Sequence, residues 1–496
     1  MCLTKNEPMT KELSPRKPGI PAKIFRGYLK VLHDKLYYRR IYVEGRENMP
    51  ADGIPTVAVS QHQNCLNDPL LLGFALSDRK PRFLARANVF KNPIFNWAIR
   101  GLGALPAYRM KYDGYAAVGK NQQTFQEVAY ALRRGETVIL YPEAGHQDKR
   151  WLGNFSPAYL KMAFNAAEES EFQREVFVMP SAHHYSVYSH AREDALMMFG
   201  EPISLKPYYE LYKEQPRVAI REVNLLVRKQ IEEMMLNIND LEHYEQVDFL
   251  RDGVYGEQYA KAQGFNPKHL PSKLKSDKEF VKKLDEATVV EPEKMEKIYD
   301  KVRKFAKGVR KLGVREWLFE KKNTGLAGLI GRALLLLLGL PLFVVSIIPT
   351  FAMFLVPELF LKKFIKDRMF RSSVRVGVLL LIVFPLFCII PVIVMLCCGN
   401  WISALCYLIA YPLMALYCYN YIIYYTKYVG YNRFVRPKNR DKVEKLRAMR
   451  EDIYLELDKI LARHEENAKK AAAIRAEIAA AKEAAAQGIE ASVATE

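Results

Sequence analysis

A histidine and an aspartate, His62 and Asp68, lie close together in the chain where a predicted strand is followed by a predicted helix. The β-branched and apolar residues 57–59 predict a buried strand. Asp68-Pro69 is typical of a helix start, because aspartate caps the first turn and proline suits the first helical position. A tight turn between them would bring the imidazole to the carboxylate. Since an imidazole held in this way can remove a proton from an alcohol at pH 7, the pair predicts general-base chemistry.

Short apolar strands alternate with helices around this pair. Strands are predicted at 81–86, 103–108, 137–141 and 176–180, and helices at 93–101, 118–134 and 157–169. This alternation predicts an α/β fold, a layered domain with a mixed sheet. Sites in open α/β sheets form at the strand ends, which is where the polar motifs fall.

Two long apolar segments in the second half of the chain predict a membrane protein. Residues 333–357 contain 25 positions without a charge, and residues 376–426 contain 51. The second run is long enough for two crossings of about 20 residues each. The formal net charge of the 496 residues is +19. Together these features predict anionic membrane lipids as partners, and no nucleic acid.

The charges that flank these segments predict how they lie. Basic residues precede and follow 376–426, so this run is predicted to be a transmembrane hairpin that turns at Gly399-Asn400, with both ends cytoplasmic. The run 326–357 is predicted to be a re-entrant or in-plane pair of helices broken at 339–341. The first 19 residues have no apolar core of a signal peptide. The catalytic domain is therefore predicted on the cytoplasmic face of an integral membrane protein, with a bacterial inner membrane as the expected setting.

These observations divide the chain into five parts. They are a polar tail (1–19), the α/β domain with an N-terminal amphipathic helix (20–204), a charged helical connector (205–324), the membrane segment (325–427) and a cytoplasmic helical tail (428–496). The helix at 20–41 either lies at the headgroup level of the membrane or packs on the domain. The connector is either a linker or a lipid-facing cover.

Four motifs follow one another in the α/β domain: 62–68, 83–86, 141–146 and 176–180. In this order and spacing, the chain resembles the PlsC-like glycerolipid acyltransferases, the family of 1-acyl-sn-glycerol-3-phosphate acyltransferases, over about residues 40–205. The resemblance implies that His62 is the catalytic base and Asp68 its carboxylate partner. It also implies substrate-binding roles for Arg86, which would bind the acceptor phosphate, and for Glu143, Gly145 and His146.

Two features depart from the family pattern. Five residues rather than four separate the histidine from the aspartate, so either Asp68 or Asn67 orients His62. In the third motif, Ala144-Gly145-His146 replaces Gly-Thr-Arg, and the phosphate-binding arginine is missing. His146, Lys149 or Arg150 would then supply the positive charge. The adjacent His183 and His184 are less promising as a site, because neighbouring side chains on a strand point to opposite faces.

The predicted function is transfer of a fatty acyl group from acyl-CoA or an acyl carrier protein thioester to a lysophospholipid hydroxyl. The predicted acceptor is 1-acylglycerol 3-phosphate, and no cofactor or metal is required. Glycerol 3-phosphate, dihydroxyacetone phosphate and a lyso aminolipid are alternative acceptors. A non-catalytic lipid-binding scaffold is the alternative outside the enzymes.

Overall fold

The computed structural model describes residues 19–76, 79, 81–91, 93–108, 119, 121–143, 149–187, 189–320, 325–365 and 368–493. By their internal contacts these residues form two compact units. The first unit comprises residues 1–237 and 349–412, and the second comprises 238–348 and 413–496.

A mixed sheet of eight strands forms the centre of the first unit, as the described residues show it. The strands are β1 (Arg40–Glu44), β2 (Thr56–Val59), β3 (Arg82–Arg86), β4 (Ala104–Ala107), β5 (Thr137–Leu140), β6 (Phe177–Tyr185), β7 (Asp194–Phe199) and β8 (Ile203–Ser204). Their order is β1-β7-β6-β2-β5-β3-β4, and β8 pairs with β6. The predicted α/β fold with a mixed sheet is confirmed.

The middle of this sheet consists of parallel strands whose residues are buried on both faces. Every residue of β2 and β5 is buried, and Val57, Val59 and Ile139 have no exposed surface. This burial explains why these strands are continuous apolar runs rather than alternating ones. β6 is longer than predicted: it pairs in parallel with β2 at its start and antiparallel with β7 towards its end.

Helices cover the sheet of the first unit. They are α1 (Ile20–Val31), α2 (Asn67–Ala75), α3 (Pro93–Gly101), α4 (Asn121–Arg133), α5 (Ala158–Glu168), α6 (Tyr209–Glu214) and α7 (Pro216–Met234). α1 continues as a π-helical segment, Leu32–Tyr37. After α4 the chain turns at Gly135, whose φ of +73° is in the left-handed region. A Cβ there would collide with the backbone of Gly53, so only glycine fits this turn.

The second unit is helical in its described residues. It contains α8 (Tyr244–Asp252), α9 (Val254–Ala262), α10 (Leu270–Val290), α11 (Pro292–Leu312), and, after the apolar helices, α16 (Arg440–Leu461) and α17 (His464–Val493). α11 buries a stripe of apolar side chains at helical spacing that includes Ile298, Val302, Phe305 and Val309. The stripe supplies the apolar face that a helix packed on others requires.

Three helices of the described chain are long and apolar enough to cross a membrane. The first is α12 (Leu326–Phe364), and the third is α15 (Trp401–Val435). Between them the chain forms α13 (Arg368–Val378), two π-helical turns (Leu379–Val383 and Pro385–Ile389) and α14 (Ile390–Cys397), which together give the second. Gly399 has a φ of +73° at the turn between α14 and α15, where the sequence predicts the hairpin to turn.

The predicted break at residues 339–341 is wrong, because α12 continues through Gly339 and Pro341. A proline inside a helix disturbs hydrogen bonds of the preceding turn, and neighbouring side chains can replace them in apolar surroundings. Tyr417 donates its hydroxyl to the Gly339 carbonyl at 2.8 Å, and Tyr421 donates to the Leu336 carbonyl at 2.9 Å. These two hydrogen bonds join α12 to α15 just before the proline, and the helix continues without a break.

Candidate active site

The register of three parallel strands brings three chemically useful residues to one edge of the sheet. Val59 of β2 is aligned with Leu140 of β5 and with Pro180 of β6. His62, Glu143 and His183 each follow one of these aligned residues by three positions. Side chains from three separate parts of the sequence therefore meet where the carboxyl ends of the strands converge.

His62 and Asp68 form the pair that the sequence predicts. The Nδ1 atom of His62 lies 2.9 Å from Oδ2 of Asp68. The same carboxylate oxygen accepts the backbone N–H groups of Gln63 at 2.8 Å and Asn64 at 2.7 Å. The Asp68 side chain is fully buried, whereas 13% of the His62 side chain is exposed. The arrangement buries the carboxylate and keeps the imidazole at the surface of the site.

The second oxygen of Asp68 is held from β6. Tyr185 donates its hydroxyl to Oδ1 at 2.8 Å, and Nε2 of His183 lies 3.1 Å from the same atom. Burial by itself raises the pKa of Asp68, but the nearby charges of His183 and His62 and the hydrogen bonds outweigh it. The net pKa of Asp68 is about 2, so the carboxylate is ionised at neutral pH.

The ionised carboxylate decides the tautomer of His62. A carboxylate can only accept hydrogen bonds, so Nδ1 of His62 carries the hydrogen that points to Asp68. In the neutral imidazole the lone pair is then on Nε2, which is the atom that can take a proton from a substrate hydroxyl.

His62 is also held by ring stacking and by a hydrogen bond from its backbone N–H. It stacks on the ring of Tyr141, with ring centroids 4.3 Å apart and an interplanar angle of 21°. The carboxylate of Glu143 accepts the backbone N–H of His62 at 3.1 Å and that of Gly153 at 3.3 Å. Tyr141 therefore restricts the orientation of the imidazole ring, and Glu143 fixes the backbone of His62.

The structure distinguishes between the two candidate partners of His62. Asn67 is fully buried, and its amide Nδ2 donates to Oγ of Ser372 at 3.1 Å. Its amide oxygen, the atom that would accept the imidazole N–H, has no hydrogen-bond partner among the described residues. Asp68, not Asn67, contacts the imidazole.

The two adjacent histidines of β6 point to different groups. Nδ1 of His183 lies 3.2 Å from Oγ of Ser60, on the side of Asp68, whereas Nδ1 of His184 lies 3.2 Å from the Arg150 guanidinium. Burial lowers the pKa of His183 and outweighs the opposing effect of Asp68, so His183 is neutral at pH 7. The sequence pattern predicts little for His183. Its place near Asp68 follows from the strand register, because His183 follows Pro180 by three positions just as His62 follows the aligned Val59.

The predicted substrate-binding residues are distributed as follows. Arg86 ends β3, next to β5 in the sheet, and its guanidinium lies 5.1 Å from the ring centroid of Phe370. Arg150, one candidate for the missing positive charge, is buried and donates to the carbonyl of Tyr185 at 3.1 Å. Gly145 and His146 lie outside the described residues. No three His, Cys, Asp or Glu side chains are arranged to hold a metal in the part of the chain that the structure describes.

Part of the chain is similar to known proteins. Residues 40–184 match the family model described as Acyltransferase. The chain is 30% identical over 133 residues to a chloroplastic 1-acyl-sn-glycerol-3-phosphate acyltransferase of Arabidopsis thaliana, which is 27% of this chain and 34% of that protein. It is 31% identical over 110 residues to glycerol-3-phosphate O-acyltransferase 2 of Saccharomyces cerevisiae, which is 22% of this chain and 15% of that protein.

The chain thus spans about a third, or less, of the length of the curated relatives it matches. A solved structure, that of the 1-acyl-sn-glycerophosphate (LPA) acyltransferase PlsC from Thermotoga maritima, aligns with 43% of this chain and 78% of that chain. The sequence identity is 23% and the TM-score is 0.32.

Proposed function

We propose that this protein is a membrane-bound O-acyltransferase of glycerolipid synthesis, because residues 40–184, which contain the four motifs, match the acyltransferase family model. It transfers a fatty acyl group from acyl-CoA or an acyl carrier protein thioester to the free hydroxyl of 1-acylglycerol 3-phosphate. The observation that carries the proposal is the 2.9 Å contact between His62 and the buried, ionised Asp68.

The geometry supports a single-displacement reaction. Nε2 of His62 takes the proton of the acceptor hydroxyl while the hydroxyl oxygen attacks the thioester carbonyl carbon. The new carbon–oxygen ester bond forms, the carbon–sulfur bond breaks, and the thiolate leaves with the proton from His62. Asp68 stabilises the positive charge that the imidazole carries between these two proton transfers.

Arg86 is the residue we propose for the acceptor phosphate. A guanidinium binds phosphate through two parallel hydrogen bonds, and its charge complements the phosphate charge. Its position at the end of β3 is on the same edge of the sheet as the residues that follow β2 and β5. Glu143, Gly145 and His146 remain proposed substrate-binding residues.

A second acceptor has an observation in its favour. The Saccharomyces cerevisiae relative is named a glycerol-3-phosphate O-acyltransferase, and the third motif lacks the arginine of the family pattern. Glycerol 3-phosphate is therefore the main alternative acceptor, and dihydroxyacetone phosphate and a lyso aminolipid complete the set to be tested.

The membrane setting we propose places the site on the cytoplasmic face. The apolar helices support membrane association. Ser372, near the start of the second apolar helix, accepts a hydrogen bond from Asn67 in the acyltransferase domain. This contact supports a topology in which that end of the helix and the domain lie on the same side of the membrane. A reporter inserted after residue 360 is expected on the catalytic side, and its appearance on the opposite side would contradict this topology.

The test is acyl transfer by the purified full chain in detergent micelles. Labelled acyl-CoA and acyl carrier protein thioester are offered with each of the four acceptors, and wild type is compared with His62→Ala. His243→Ala, which removes an imidazole from the helical unit, is the matched control. We expect product with 1-acylglycerol 3-phosphate from wild type and His243→Ala and almost none from His62→Ala. Equal behaviour of wild type and His62→Ala would favour the lipid-binding scaffold.

A further inference from the structure

The loop that carries His62 is held by a segment far away in the sequence. The segment of residues 60–67, here called the His62 loop, connects β2 to α2 and includes the first residue of α2, Asn67. Its partner is the beginning of α13, which follows the acyltransferase match by almost two hundred residues and is part of the second apolar helix. All of the residues concerned belong to the first compact unit.

Ser373 makes the closest of these contacts. Its Oγ accepts the backbone N–H of Leu66 at 2.8 Å. The same hydroxyl lies 3.2 Å from the backbone oxygen of Asn64 and 3.1 Å from its side-chain Oδ1, so its hydrogen can be donated to either oxygen. Ser373 is 2% exposed. Its hydroxyl therefore joins two positions of the loop, one of which also binds Asp68 through its N–H.

Ser372 makes a second connection one residue earlier. Its Oγ accepts from Nδ2 of Asn67 and lies 3.0 Å from the hydroxyl of Tyr37. Ser372 is 3% exposed and Asn67 is fully buried. The two serines together hold the loop at 64, 66 and 67, between His62 and its partner Asp68.

The loop needs such external support because its own backbone is irregular. It forms no regular element between Val59 and Asn67, and Cys65 has a positive φ of +21°, which is unusual for a residue with a side chain. Backbone conformations of this kind persist where the surroundings over-determine them. The buried hydroxyl of Ser373 supplies such surroundings, because it accepts a loop N–H and can donate to a loop carbonyl.

We propose that Ser372 and Ser373 are positioning residues for the acyl-transfer reaction: the start of a membrane helix fixes the His62 loop, so that His62 and Asp68 meet correctly only when that helix is docked. This inference rests on the proposed function for its activity readout alone. Its physical content, a hydrogen-bonded junction between helix and loop, is measured separately.

The first experiment measures kcat and KM of the full-length protein. Ser373→Ala is compared with Ser373→Thr, which keeps the hydroxyl, and with Ser403→Ala, which removes the same atom from α15 beyond the Gly399 turn. We expect Ser373→Ala to lower kcat about 10- to 100-fold, because a small misplacement of a catalytic group has an effect of that size. The KM of the acceptor is expected to stay the same, and Ser373→Thr and Ser403→Ala are expected to keep the wild-type kcat.

The second experiment measures hydrogen exchange of peptides that cover the His62 loop. Removal of one hydrogen bond is expected to speed exchange of the Leu66 amide about 2- to 10-fold in Ser373→Ala, with no change in peptides from β5 or β7. Faster exchange across the whole domain would mean general destabilisation and would overturn the inference, as would unchanged exchange at Leu66.

The two readouts separate this inference from the proposed function. If wild type has no activity on any acceptor but Ser373→Ala still speeds exchange at Leu66 alone, the proposed function fails and the junction stands. If wild type is active and Ser373→Ala has both wild-type kcat and wild-type exchange, the junction fails and the proposed function stands.

Discussion

Among the described residues, a histidine–carboxylate arrangement in the first compact unit and another in the second resemble each other at first sight. His62 stacks on Tyr141 at 4.3 Å and contacts Asp68. His243, in the helical unit, stacks on Tyr299 at 4.5 Å. Its Nδ1 lies 2.8 Å from Asp240, and its Nε2 lies 2.6 Å from Glu296.

The two sites differ in where their carboxylates lie and in how deeply those carboxylates are buried. Burial alone lowers the pKa of His243, but the hydrogen bonds to Asp240 and Glu296 outweigh burial and raise it. With a carboxylate at each nitrogen, both nitrogens are donors and the ring is an imidazolium with no lone pair to act as a base. At His62 the fully buried carboxylate of Asp68 lies at Nδ1, so the lone pair of the neutral imidazole is on Nε2. An imidazole acts as a base through the ring nitrogen that carries no hydrogen.

The largest difference between the two sites is expected when each imidazole is removed. His62→Ala is expected to lower kcat about 10⁴-fold, because general-base catalysis and the stabilised imidazolium are both lost. His243→Ala is expected to keep the wild-type kcat. The measurement is initial-rate acyl transfer with saturating substrates, and equal losses in the two variants would contradict the distinction.

A smaller effect is expected from neutralising the acid of each pair. Asp68→Asn keeps the shape of the side chain but replaces an ion that only accepts hydrogen bonds with an amide that also donates. We expect kcat to fall about 10²- to 10³-fold, since His62 then loses both its tautomer preference and its charge partner.

Asp240→Asn is the control for that change and is expected to retain the wild-type kcat. Asn67→Ala is expected to lose less activity than Asp68→Ala, because Asn67 contacts Ser372 rather than His62. A greater loss in Asn67→Ala than in Asp68→Ala would reassign the partner of His62.

The adjacent histidines of β6 offer a matched pair within one strand. His183→Gln changes the group 3.1 Å from Asp68 Oδ1, whereas His184→Gln changes the group beside Arg150. We expect about a 10-fold lower kcat for His183→Gln, because the substitution changes the surroundings of the carboxylate that contacts His62. His184→Gln is expected to lower the melting temperature and leave kcat unchanged. Similar kcat values for both variants would remove His183 from the site.

The smallest effect is on stability, and its pH dependence has opposite signs at the two sites. The pKa of His243 is raised above its ordinary value of 6.5, so its stabilisation is complete below pH 6.5 and is lost as the pH rises through the raised pKa. The pKa of Asp68 is lowered from 3.8 to about 2. Its stabilisation is complete above pH 3.8 and is lost as the pH falls towards 2.

Melting temperatures of wild type and His243→Gln at pH 5.5 and pH 9 test this sign. We expect wild type to be the more stable at pH 5.5, by about 1 kcal/mol or less because Glu296 is half exposed. The two proteins are expected to converge at pH 9. A difference that grows with pH would contradict the charged state of His243.

Much of the acyltransferase domain follows from local sequence patterns. The predicted strand at 137–141 is β5 (Thr137–Leu140), and the predicted helix at 157–169 is α5 (Ala158–Glu168). These elements are predictable because their periodicity and their boundary residues, Gly135 before β5 and Pro157 before α5, act over a few residues. The break predicted at residues 339–341 is wrong. Around Pro341 the helix α12 contacts residues far away in the sequence, such as Tyr417, and a local pattern does not show such contacts.

The proposed reaction chemistry follows from local sequence features: a histidine and an acid at a strand-to-helix turn, a family pattern around them, and apolar segments long enough to cross a membrane. Which side chain contacts the histidine follows only from the folded structure. An extra residue in a turn changes the direction in which the following side chains point. The local sequence does not show whether Asn67 or Asp68 then faces the imidazole of His62. Tertiary structure also decided that Tyr185 holds the carboxylate and that Ser373 holds the loop. These partners lie 117 and 309 residues away in the chain, and only the packing of strands and helices brings them into hydrogen-bonding distance.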